Sequence, residues 1–202
     1  MKARILVWLV ALFCCHNASF AQKEFVNTSV RLSGHPRILL QKGEEKALKK
    51  VIMKDAVWKD IHQSLVDEAG EIVKLPLNER IKTGRRLLSV SRENLRRIFI
   101  LSYAYRMTGK SEFLKRAESE MLKAASFSDW NPSHFLDVGE MTMALAIGYD
   151  WLYPQLSVQT KREIENAIVE KGLKPSFDER YNWFVNAVHN WSQVCHAGVT
   201  YG

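Results

Sequence analysis

Residues 141–148, Met-Thr-Met-Ala-Leu-Ala-Ile-Gly, are apolar on nearly every side of the helix that their composition predicts. Such a helix has no face to offer water, so it has to be enclosed by neighbours. The rest of the chain supplies them. Glu44 to Met53 and Ala56 to Val73 are rich in Lys, Glu, Ala and Leu, which are strong helix formers. Ser91 to Met107 sets Leu95, Ile98, Phe99 and Ser102 around an apolar stripe, with Ser91 as the expected N-cap and Gly109 as the left-handed residue that ends the helix. Ser111 starts another, in which Phe113, Leu114, Ala117, Met121 and Ala124 recur at helical spacing. Asp137 and Glu140 look like a capping pair for the central helix, which runs to Trp151 and is closed by Pro154. Ser157 then caps an amphipathic helix from Val158 to Lys171. Strand signals are almost absent. The expected fold class is all-α, with paired helices joined by short turns in a bundle, solenoid or toroid.

The first residues point to export. Lys2 and Arg4 precede an apolar run from Ile5 to Cys15, and Ser19-Phe20-Ala21 follows. Basic region, apolar core and small residues in that order predict a signal peptide over residues 1–21, cleaved after Ala21. The run is shorter than the roughly 20 residues of a membrane-spanning helix, so no membrane span is expected. Cys14 and Cys15 offer a lipid-anchored alternative, but Leu12 and Phe13 are bulkier than the residues that usually precede such a cysteine. Residues 22–202 are then expected to be periplasmic or secreted and to form one domain, since no linker-like stretch divides them. Residues 22–35 are polar and expected to be irregular, and Pro36 biases His35 toward an extended lead-in. Cys195 is the one cysteine left, so no intrachain disulfide is expected, and it suits a small buried apolar position.

Removing Lys2 and Arg4 from the 29 basic residues leaves 27 against 22 acidic, a net charge of +5. The excess is spread along the chain and accompanies no nucleic-acid-binding motif, so nucleic acid is not an expected partner. An acidic polysaccharide suits an exported basic protein, because a cleft of one sign concentrates ligands of the other.

Chemistry concentrates between Tyr181 and Gly198. Helical from Asn190, this segment puts Asn190, Gln193 and Ala197 on one face, and His189, Gln193 and His196 on an overlapping one. Amides and imidazoles beside Trp183 and Trp191 are what a sugar site needs, since indole faces stack on pyranose rings. A metal site from His189, Cys195 and His196 is not expected, because their spacing matches no usual ligand pattern. A competing idea draws the acid and base of a glycoside hydrolase from Asp129, Asp137, Glu140 and Asp150. Phosphate loops, nucleophile elbows and His-Glu-x-x-His are missing.

Three segments together resemble a family. His35-Pro36-Arg37-Ile38-Leu39-Leu40 is similar to the opening of the heparinase II/III-like polysaccharide lyases. Phe135 to Met141 with Ala146 to Tyr153 resembles their central helix, and Asn190-Trp191-Ser192-Gln193-Val194-Cys195-His196-Ala197-Gly198 the segment bearing their first active-site residues. The resemblance implies helical hairpins forming part of an incomplete (α/α) toroid, and cofactor-free β-elimination on uronic-acid-containing polysaccharide. It implies Asn190 as the residue that neutralises the uronate carboxylate, with His196 as a second catalytic candidate. Trp191, Gln193, His189 and Trp183 are then expected to bind substrate. The family's tyrosine acid/base lies well downstream and matches nothing in residues 1–202, since Tyr201 is too close to Asn190 on the same helix. The chain is therefore expected to be the front of a larger enzyme, inactive alone. Alternatives are a non-catalytic carbohydrate-binding helical module and a toroid hydrolase.

Overall fold

A computed structural model describes residues 34–202. The expected signal peptide and nearly all of the polar stretch after it lie outside these residues. Among them the fold is all-α: seven α-helices, no strand, and one isolated bridge between Thr83 and Arg86. The helices are α1 (Glu45–Lys54), α2 (Ala56–Lys74), α3 (Leu88–Thr108), α4 (Ser111–Ala125), α5 (Phe135–Leu152), α6 (Val158–Ala167) and α7 (Asn190–Tyr201).

The apolar helix is enclosed as expected. Only Glu140, Met143 and Tyr149 of α5 retain partial exposure. Ile98 and Leu101 from α3, Met121 from α4, Ile164 from α6 and Cys195 from α7 join its Met141, Ala144 and Leu145 in one core. Gly109 takes the left-handed conformation (φ 75°) that ends α3, and Ser157 caps α6 by accepting the N–H of Thr160. A buried Glu120 on α4 binds Arg97 of α3 at 3.1 Å and Arg116 at 2.7 Å. Those guanidiniums in turn donate to the carbonyls of Pro76, just after α2, and Val73, in its last turn. Both guanidiniums thus share Glu120 Oε1, while its Oε2 is buried without a hydrogen-bond partner.

Four local expectations are corrected. Helix α3 begins at Leu88, and Ser91 is buried one turn inside it, its hydroxyl donating to the carbonyl of Leu88. Asp137 and Glu140 do not cap α5, which already starts at Phe135; Asp137 binds Leu87, Asn131 and His134, and Glu140 binds Arg92 of α3. The helix from Val158 is α-helical only to Ala167, and residues 168–173 widen into a π-helical turn. There Gly172 approaches so closely that a Cβ would lie 2.5 Å from the Thr142 hydroxyl and 3.1 Å from the Trp130 ring. Residues 34–41 form bends instead of an extended segment, because Asp150 gathers them. Its carboxylate accepts the N–H groups of Arg37 and Ile38 at 2.8 Å each and the His35 ring nitrogen at 2.5 Å.

Candidate functional site

Helix α7 carries most of the expected site residues, and two glycines set its position. A Cβ built on Gly198 would lie 2.1 Å from the carbonyl oxygen of Gly139 on α5. Backbone therefore touches backbone where the two helices cross. Before α7, a short 3-10 turn over Asn182–Asn186 is pinned by buried Phe184, whose ring lies 4.3 Å from that of Phe135. This anchor leaves Trp183 45% exposed at the surface beside the start of α7.

The result is an aromatic group. The Trp183 and Trp191 rings are 4.8 Å apart at 41°, and His189 lies 6.0 Å from Trp183. Trp191 is half-buried, with the buried His134 ring edge-on beneath it at 4.6 Å. His134 donates its Nδ1–H to Asp137 at 2.7 Å, leaving a buried Nε2 without a hydrogen-bond partner. Asp137 also accepts the N–H of Leu87, just before α3, and the side-chain amide of Asn131, both at 2.6 Å. One buried carboxylate thus joins the starts of α3 and α5 and supports the imidazole under the indole.

The hydrogen-bonding candidates divide. His189 is the N-cap of α7, its Nδ1 accepting the N–H of Trp191 at 3.4 Å. Asn190 and Gln193 are exposed and lie about 60° apart around the axis. His196 is also exposed, but six residues from Asn190 put it about 120° away. The two catalytic candidates therefore do not share a face. His196 donates Nδ1–H to the carbonyl of Ser192 at 2.6 Å, which leaves Nε2 as its basic nitrogen. Tyr201 is eleven residues along α7 from Asn190, about 16 Å at helical rise. It lines a separate cavity of about 130 Å³ with His35, Arg37, Tyr149 and Glu165.

A groove of about 470 Å³ runs between α3, α5 and α7, lined by Arg92, Arg96, Glu140, Met143, Val194 and Ala197 among others. Asn190, Val194 and Ala197 form one stripe along α7, so the groove leads along this helix toward Asn190. Glu140 accepts the Arg92 Nε–H at 3.1 Å through one oxygen, and its other oxygen is buried without a partner. Burial pushes the Glu140 carboxyl above its usual range, and the charge of Asp137 adds to this while Arg92 opposes it. Sequence reasoning missed this pair because Glu140 was assigned to a cap. The available signal was Arg92 and Arg96 at i, i+4, which puts two guanidiniums on one helix face.

The four hydrolase candidates do not assemble into a pair flanking a cleft. Asp129 binds Arg80 at 2.5 Å, Asp137 and Asp150 are buried and fully engaged, and only Glu140 of the four faces the groove. Cys195 is buried, and burial, with the charges of Glu140 and Asp137, pushes its thiol up to about 12. That is the opposite of an activated thiolate. Among the described residues no helix is long and apolar enough to cross a membrane. No protein-family model matches the chain, and no curated protein matches it.

Proposed function

We propose that this chain contributes part of an (α/α) toroid to an exported polysaccharide lyase that acts on uronic-acid-containing polysaccharide. The observation that carries the reading is the pair of exposed Trp183 and half-buried Trp191 at the N-terminal end of α7, with exposed Asn190 and Gln193 on the same helix. Aromatic faces provide stacking for pyranose rings. Asn190 supplies an amide donor for the uronate carboxylate, which withdraws charge from the adjacent C–H as it becomes an enolate. His196, 120° away around α7, then serves at the margin of the site and not beside Asn190. Proton removal and return belong to general base and acid groups contributed by the complete enzyme.

The test titrates the chain with a uronate trisaccharide and with neutral maltotriose, following tryptophan fluorescence. Uronate-selective binding that falls at least about tenfold, or about 1.4 kcal/mol, in Asn190→Ala with an unchanged circular dichroism spectrum is the expected result. Asn190→Ala binding like the parent removes Asn190 from the site. Equal affinity for maltotriose favours the non-catalytic carbohydrate-binding module. With the complete enzyme, formation of unsaturated uronate, seen by its ultraviolet absorbance, tests the elimination directly.

A further inference from the structure

The Arg92–Glu140 pair is oddly built for a structural ion pair. The Arg92 side chain is 63% exposed, whereas that of Glu140 is 12% exposed. They meet through a single Nε–H contact of 3.1 Å, and the second Glu140 oxygen has no partner although it is buried. A pair placed for stability would use the bidentate geometry that guanidinium and carboxylate favour. Neighbouring Arg96 is held by Glu93 at 2.7 Å and by Glu68, so Arg92 is the groove's more lightly bound guanidinium. Across the groove α7 presents apolar Val194 and Ala197 on the stripe that leads to Asn190. An anionic group lying along that stripe would meet Arg92 as its first cation.

Resting on the uronate reading above, we propose that this groove is a second carboxylate subsite, in which a uronate carboxyl takes over Arg92 as Glu140 takes up a proton. The exchange balances. Before binding, Arg92 and Glu140 carry one positive and one negative charge. Afterwards Arg92 pairs with the uronate, and a solvent proton sits on the Glu140 oxygen that now lacks a partner, so the half-buried groove stays neutral. Without the proton it would hold two carboxylates against Arg92, the groove guanidinium that Glu68 and Glu93 do not already occupy. Each element around Glu140 agrees with this. Helix α3 contributes Arg92 and Arg96, α5 contributes Asp137, the turn before it contributes His134, and α7 contributes only the protonated thiol of Cys195.

Binding that takes up a proton weakens as pH rises, by up to about tenfold per pH unit. The experiment measures the affinity of the full chain for trigalacturonate from about pH 5 to about pH 8, in the parent, Glu140→Gln and Arg92→Gln. His189 and His196 are exposed and unchanged in every variant, so the difference between profiles isolates Glu140. The parent is expected to lose affinity steeply. Glu140→Gln should give a flatter profile and at least about fivefold tighter binding at the alkaline end, and Arg92→Gln should weaken binding across the range. Superimposable profiles for the parent and Glu140→Gln, or unchanged affinity in Arg92→Gln, overturn the proposal. Binding that needs Asn190 but ignores both groove variants overturns this subsite alone. Absence of any trigalacturonate binding removes the uronate reading and the subsite with it.

Discussion

Asp137 sits where no water reaches it, and three donors from three places in the sequence hold its charge: Leu87, Asn131 and His134. Removing a buried acceptor costs the desolvation of every donor left behind. Asp137→Ala is therefore expected to lower unfolding free energy by about 3–5 kcal/mol, measured by urea denaturation. It should also release the His134 ring and change the Trp191 fluorescence. The spacing from Asp137 to Glu140 suggested a cap because caps are local patterns. The cross-helix partners, Leu87 for Asp137 and Arg92 for Glu140, lie 50 and 48 residues upstream, where no spacing rule looks.

At the scale of elements, the α5–α7 crossing governs the site. Gly198→Ala places a methyl 2.1 Å from the Gly139 carbonyl oxygen, far inside van der Waals contact, so α7 has to move away from α5. Overpacking of this kind costs about 3 kcal/mol or more, and the shift should separate Trp191 from His134 and abolish oligouronate binding. Gly109→Ala is the control. It has open space around it but a φ of 75°, so about 1 kcal/mol should be lost with binding intact. Thermal melts and fluorescence titrations of both variants check this. Helix existence was legible because the 3.6-residue apolar period of α4 and α6 is strong. The π-helical turn at residues 168–173 was not, because its cause is the approach of Thr142 and Trp130 to Gly172.

Across the whole molecule, charge pairing sets the response to acid. Hydrogen bonds from Arg96 and Arg97 hold the Glu93 carboxyl at about 2, against an ordinary 4.5. Its contribution is thus fully present above about pH 4.5 and lost as pH falls toward 2. Glu45 and Asp129 act in the same direction: burial raises each carboxyl, but hydrogen bonds to Arg106 and Arg80 outweigh it. Glu140 has the opposite sign, since its raised carboxyl is relieved of a penalty on protonation. Melting temperature is therefore expected to fall on acidification below about pH 4.5, and less steeply in Glu93→Gln. The aromatic part of the candidate site was legible, because Trp183 and Trp191 are close in the chain. Its support was not, because His134 and Asp137 reach Trp191 only through the packing of α7 on α5. That packing has a consequence for divergence. The joint of two glycine backbones, with Cys195 and Trp191 turned to the core, seats α7 without its outward residues, so Asn190, Gln193 and His196 can be exchanged without disturbing the seat. Recognition and architecture are written in separate letters of the same helix, and new specificities can be sampled on it one residue at a time.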